Sequence, residues 1–215
     1  MRHEETAGDA RLRHVYWIGG GSGAGKSTIA RQLADRHGLR VYATDDVMPD
    51  HAGRSSAEDS PRLSEFMAMD MDERWVNRSP QVMLETFHWY RGESFGLIVQ
   101  DLLRLPAEPG VIAEGFRLLP RLVMPLLTAP LHAVWLLPTP GFRRAVFDSR
   151  GGSSWAFLGQ TSDPEGALRN LLERDRMFTE RLREETARLD LHVIEVDTAT
   201  TPDDLTLQVA QAFGL

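Results

Sequence analysis

Apolar residues fall along this chain in two alternating patterns. Short unbroken runs occur at Val15-Tyr16-Trp17-Ile18, within Leu39 to Thr44, at Val111-Ile112-Ala113, from Ala133 to Leu137 and at Val193-Ile194-Glu195-Val196. Runs of this length and β-branched content predict strands buried on both faces. Between them, apolar positions recur at three-and-four spacing. This predicts helices over 27–34, 64–71 and 81–105, a proline-punctuated helical stretch after 118, and helices from Pro140 and from Asp163 to about Leu189. Asp163-Pro164-Glu165 supplies an N-cap, a proline at the first helical position and an acid in the first turn. Thr201-Pro202-Asp203-Asp204 opens the last helix in the same way. Five strands alternating with helices describe a parallel sheet covered on both faces, a three-layer α/β sandwich. At 215 residues the chain is long enough for one such domain. It is expected to span 14–215, with residues 1–13 as a flexible tail.

Ligands of open parallel sheets bind beyond the carboxyl ends of the strands. There the pattern delivers Lys26 and Ser27 after the first strand, Asp45 and Asp46 after the second, and Glu114 after the third. The first of these turns is specific. Gly20-Gly21-Ser22-Gly23-Ala24-Gly25-Lys26-Ser27-Thr28 has the P-loop spacing, Gly-x4-Gly-Lys-Ser, between a strand and a helix. Its glycines let backbone N–H groups turn onto phosphate oxygens, and the helix N-terminus adds its dipole. Lys26 is the sole lysine of the chain; every other basic residue of the Lys/Arg class is arginine. A compact ammonium reaches between β- and γ-phosphates where a planar guanidinium is too broad. The Ser27 hydroxyl is the expected Mg²⁺ ligand. The chain is therefore expected to bind a nucleoside triphosphate, ATP, with Mg²⁺.

Composition narrows the class. There is no cysteine, which excludes disulfides, thiolate metal sites and a thiol nucleophile. The N-terminus lacks the apolar core of a signal peptide, and the apolar stretch 118–137 is interrupted by prolines, so a cytoplasmic protein without a membrane span is expected. A formal net charge of −7 argues against broad nucleic-acid affinity. Without a second lysine, the Asn-Lys-x-Asp base-recognition motif of GTPase switches is impossible. A carboxylate leaving the strand beside the P-loop strand can accept the proton of an acceptor hydroxyl. Asp45 is assigned that role, with Asp46 aiding metal or substrate and Glu114 as the Mg²⁺ carboxylate or a substrate contact.

The P-loop, Thr44-Asp45-Asp46 and Asn170-Leu171-Leu172-Glu173-Arg174-Asp175-Arg176 together resemble the P-loop small-molecule kinases. That group includes shikimate and gluconate kinases, chloramphenicol phosphotransferase, the 5′-hydroxyl polynucleotide kinase domain and nucleoside monophosphate kinases. The resemblance covers most of the chain from about residue 14, outside 47–105. It implies a P-loop NTPase-like sandwich of strand order 2-3-1-4-5 and a LID, about 149–176, that closes over the phosphates. It also implies LID arginines on the transferred group, for which Arg174 and Arg150 stand ahead of Arg143, Arg144, Arg169 and Arg176. Against this, Arg169, Glu173, Arg176 and Glu180 form a stripe that simple surface ion pairs would also explain. Shikimate kinase separates its two aspartates by one residue; here they are adjacent, which disfavours that substrate.

By position, 47–105 is the acceptor-binding segment. It carries ten acids against six arginines, with Trp75, Phe87, Trp89 and Tyr90. Acids with aromatics suit a cationic or ring-bearing acceptor; solvated acids over buried aromatics would leave the same pattern. Arg117 is a further candidate for gripping the acceptor. The function expected is ATP–Mg²⁺-dependent phosphoryl transfer to the hydroxyl of a metabolite, nucleoside or antibiotic. A nucleotide-binding regulatory module is the alternative from another class, and a polynucleotide 5′-hydroxyl kinase is a third reading set back by the acidic balance. The sequence names no oligomeric partner.

Overall fold

The computed structural model describes residues 8–154 and 156–215. Strands β1 (Val15–Gly20), β2 (Arg40–Ala43), β3 (Val111–Glu114), β4 (Ala133–Pro138) and β5 (Val193–Val196) form one parallel sheet in the order β2-β3-β1-β4-β5. This is the α/β sandwich, with its P-loop at the end of β1, that the sequence pattern and the family resemblance lead one to expect. The helices of the described residues are α1 (Lys26–His37), α2 (Met48–Arg54), α3 (Pro61–Ala68), α4 (Met71–Trp75), α5 (Pro80–Thr86), α6 (His88–Arg91), α7 (Phe95–Arg104), α8 (Pro120–Val123), α9 (Pro140–Ser149), α10 (Pro164–Arg188) and α11 (Pro202–Phe213).

Successive side chains of a strand face opposite ways, and the core divides accordingly. Val15, Trp17, Val111, Ala113, Trp135 and Leu137 pack under Leu84, Ile98, Leu102, Phe178 and Leu182 of α5, α7 and α10. Ile18, Ile112, Val134, Leu136 and Ile194 pack under Ile29 and Leu33 of α1 and Leu205 and Val209 of α11. Asp163 caps α10 by accepting a hydrogen bond from the Gly166 amide, as the sequence predicts. The stripe on α10 is exposed and carries surface ion pairs, Arg176 to Glu173 at 2.8 Å and Arg183 to Glu180 at 3.5 Å.

Two expectations change. Residues 1–7 of the expected tail lie outside the described residues, but Ala10–Leu12 form a 3-10 turn capped by Asp9, and Leu12 is buried in the core. The helix expected over 81–105 is three helices. Phe87 takes an extended conformation between α5 and α6, Gly92 ends α6 in the left-handed region, and Ser94 follows at φ 61°. Ser94 is held there by side-chain hydrogen bonds with Ser55 at 2.7 Å and Ser60 at 3.1 Å. These tertiary partners outweigh the helical periodicity, and the breaks turn Phe87, His88 and Trp89 toward a cavity.

Candidate active site

The register of the sheet builds the site. Glu114, the last residue of β3, lies opposite Ile18 of β1 and Ala43 of β2. The turn carrying Asp45 and the loop carrying Lys26 therefore emerge on either side of it. Gly115 makes the close approach possible: at φ 147°, a Cβ there would stand 1.7 Å from Thr44 Oγ1.

The loop from Gly20 to Gly25 wraps its own lysine. Lys26 is buried, and its Nζ donates to the Gly21 carbonyl at 2.7 Å. Gly25 caps α1 in the left-handed conformation with no side-chain hydrogen bond, so this helix end is dressed by backbone alone. Thr28 starts the inner turn, its amide bonded to Gly25 O at 3.0 Å. Ala24 is fully buried under the loop. Gly23 stands at φ 77°, and a Cβ there would meet Arg143 Nη1 at 2.7 Å.

Charges cluster around the lysine. Burial lowers the Lys26 ammonium from its ordinary value, opposed by the fields of Asp45 and Glu114. Burial raises the Glu114 carboxyl, opposed by Lys26 and a hydrogen bond from Ser27. Asp45 is exposed to the cleft, while the protein packed behind it still desolvates its carboxyl. That desolvation raises its carboxyl, with Lys26 and Arg117 pulling it down. Asp46 is exposed beside it. Ser27 and Glu114 form a donor pair suited to Mg²⁺, a cation that keeps one or two protein oxygens and takes the rest from phosphate and water. Among the described residues no group of three or more His, Asp or Glu side chains is placed to hold a metal ion.

Arg117 sits beneath the Asp45 turn. It is buried, donates to Thr44 O at 3.3 Å and Ser94 O at 3.4 Å, and lies 3.0 Å from His51 Nδ1. Burial brings its guanidinium down to about 10. His51 in turn contacts Asp101 at 2.7 Å, and Asp101 also receives the Tyr42 hydroxyl at 3.0 Å. Arg117 thus anchors the turn that carries Asp45.

A cavity of about 540 Å³ opens beside the loop, with Ser22, Asp45 and Arg143 in its wall. Phe66, Trp75, Phe87, Trp89, Tyr90 and Phe116 give it an aromatic lining. Of residues 47–105, the aromatics are therefore here, but the acids are not. Glu93 receives the Arg62 and Leu63 amides, Asp70 caps α4, Asp72 receives the Ser162 amide, and Glu85 pairs with Arg181. Charge attraction to a cationic acceptor loses its basis, because these carboxylates are spent on local structure.

Arg174 and Arg150 part company. Arg174 is buried in the cavity wall, its guanidinium 4.9 Å from the Phe87 ring centroid and 5.2 Å from that of Tyr90. Arg150 is exposed at the C-terminal end of α9 and lines neither this cavity nor the groove between α9 and α10. The sequence reading counted Arg143 among the LID arginines but behind Arg174 and Arg150, and gave Asp175 no role. Arg143 donates to Ser22 Oγ at 3.1 Å and to Asp175. Asp175 is 2 % exposed and accepts from Arg143, from Arg174 at 2.7 Å and from the Tyr90 hydroxyl at 3.1 Å. Burial would raise this carboxyl, but Arg174 and Arg143 outweigh burial and hold it below its ordinary value.

His88, also in the cavity wall, is 1 % exposed, and burial, then Arg117 and Arg174, lower its imidazole to about 3. The unfolded chain binds a proton at this position near pH 6.5 and the folded chain does not until far lower. Stability is therefore complete above pH 6.5 and falls as the pH drops toward 3, by at most about 1.4 kcal/mol per unit from this residue. Between pH 7.5 and 5.0, His88→Phe is expected to lose less stability in urea titrations than the parent, by up to about 2 kcal/mol. His14 and His132 are lowered by burial too, so some acid sensitivity remains in the variant.

No helix of the described residues is long and apolar enough to cross a membrane. No protein-family model matches the sequence, and no curated protein matches it. Solved structures similar in shape include an uncharacterised protein from Eubacterium ventriosum ATCC 27560. It is 11 % identical, with a TM-score of 0.44, covering 94 % of this chain and 98 % of that one. Another is deoxyadenosine kinase from M. mycoides with bound dATP. It is 12 % identical, with a TM-score of 0.48, covering 94 % of this chain and 100 % of that one.

Proposed function

We propose that the protein is an ATP–Mg²⁺-dependent phosphotransferase that moves the γ-phosphoryl group to a hydroxyl of a small molecule. The observation that carries this reading is a shared wall: Ser22 of the P-loop and Asp45 both line the aromatic cavity. A nucleotide held by the loop and an acceptor held by the cavity would meet at one carboxylate.

The P-loop amides and Lys26, whose Nζ now donates to Gly21 O, would cradle the phosphates. Ser27 and Glu114 would hold Mg²⁺, which supplies charge neutralisation on the phosphate oxygens. Asp45 orients the acceptor hydroxyl and takes its proton as the oxygen attacks phosphorus. A carboxyl raised by desolvation is a better proton acceptor than an ordinary one. Arg143, tied to Ser22, is the cation positioned between nucleotide and acceptor, and we assign it the stabilisation of the transferred group. Arg117 sets the Asp45 turn, and Asp46 lies at the rim for metal-bound water or substrate.

The direct test is ADP release from ATP–Mg²⁺ with a panel of ring-bearing alcohols, beside Lys26→Met. Acceptor-dependent release, lost in the variant by a factor of about 10² or more, is expected. Tight ATP binding with no acceptor stimulation from any member would instead mark a nucleotide-binding regulatory module.

A further inference from the structure

The aromatic cavity contains unpaired polar groups that its apolar character does not require. Neither His88 ring nitrogen has a hydrogen-bond partner, and neither does Trp89 Nε1. Both residues line the cavity, and the two rings lie 4.4 Å apart. A buried donor or acceptor left unpaired is destabilising, and most native ones are satisfied. A neutral imidazole offers one donor and one acceptor, and the indole adds a donor. Phenylalanine would fill the same volume at position 88 without that cost. Around His88, Phe66 and Phe87 stand at 5.1 and 4.6 Å between ring centroids, both tilted to its ring.

Resting on the phosphotransferase reading, we infer that the acceptor is a nucleoside-like molecule, an uncharged heterocycle on a hydroxyl-bearing arm, and that His88 is the residue that reads the ring's hydrogen-bonding edge. The arm points to Asp45 and Ser22, and the ring lies in the aromatic part of the cavity. The six arginines and ten acids of the surrounding segment take no part, since the cavity wall holds none of them. A phosphorylated acceptor would need a cation here besides Arg143, which is held by Ser22 and Asp175 and assigned above to the transferred group. Arg174 does not serve, because Asp175 and three aromatic rings already hold it.

The test compares adenosine, cytidine, uridine and guanosine with phenyl β-D-riboside, which keeps the sugar hydroxyls and the flat ring but lacks a polar ring edge. Binding is read by calorimetry and transfer by ADP release, for the parent, His88→Phe and His88→Gln. At least one nucleoside is expected to bind the parent about tenfold or more tighter than phenyl riboside, because a site built for a polar edge rejects its apolar analogue. His88→Phe should erase that preference by weakening the nucleoside alone, and His88→Gln should restore part of it. Equal affinity for phenyl riboside, an unchanged preference in His88→Phe, or no binding of any nucleoside would overturn the inference. Nucleoside binding that depends on His88 without phosphoryl transfer would sink the kinase reading and leave this one standing. Transfer to an acceptor indifferent to His88 would do the reverse.

Discussion

Asp45→Asn is expected to lower phosphoryl transfer by about 10²–10⁴-fold while ATP affinity changes little, since general-base groups contribute on that scale. The substitution keeps the shape of the side chain and its place between Lys26 and Arg117, whose fields act on Asp45. It replaces the carboxylate that takes the acceptor proton by an amide too weakly basic to do so. Lys26, Ser27 and the loop glycines, which contact the nucleotide in this reading, are untouched. Single-turnover transfer and ATP titration in the same samples separate the two quantities. A variant that transfers phosphate at the parental rate would remove Asp45 from the chemistry.

Asp175→Asn carries the largest expected cost in stability, about 3–5 kcal/mol, the usual penalty for leaving a buried charge without its partner. The carboxylate is the shared acceptor of the Arg143 and Arg174 guanidiniums, all three residues being at most 6 % exposed. An amide supplies one acceptor oxygen and presents N–H groups to a guanidinium. Urea unfolding measures the loss, and it should exceed that of Arg176→Ala, which removes only an exposed pair with Glu173. Adding Arg174→Met to an Asp175→Leu chain should recover part of the stability by replacing the pair with apolar volume. An Asp175→Asn protein as stable as the parent would show that the two arginines find other partners.

The sheet and the phosphate loop were legible because each rests on local chemistry. Unbroken apolar runs mark strands buried on both faces, and no other spacing of Gly20, Gly25, Lys26 and Ser27 would serve. The family resemblance supplied the strand order, which the apolar pattern alone does not contain. What was not legible depends on distant partners. The helical spacing over 81–105 gave no sign that Ser55 and Ser60 would hold Ser94 out of a helix. Ten acids looked like a substrate surface, but none of them lines the cavity, and Asp70, Asp72, Glu85 and Glu93 hold an amide or an arginine elsewhere. Asp175 did leave a signal: it falls within the inward stripe of Leu168, Leu171, Phe178 and Leu182, and a lone acid on a core-facing stripe implies a buried cation. His88 left none, because an orphaned nitrogen is a property of its surroundings.

Glu114 facing Ile18 on one side and Ala43 on the other has a wider consequence. Neighbouring strands are held about 4.8 Å apart by backbone hydrogen bonds, whatever side chains they carry. In the phosphotransferase reading proposed above, the sheet is therefore a ruler for the chemistry, fixing the spacing of the loop, Glu114 and Asp45. The wall of the aromatic cavity is built differently, from short helices joined by bends at Phe87, Gly92 and Ser94. Substitutions in that wall can reshape what is recognised while the ruler keeps the reacting groups in place.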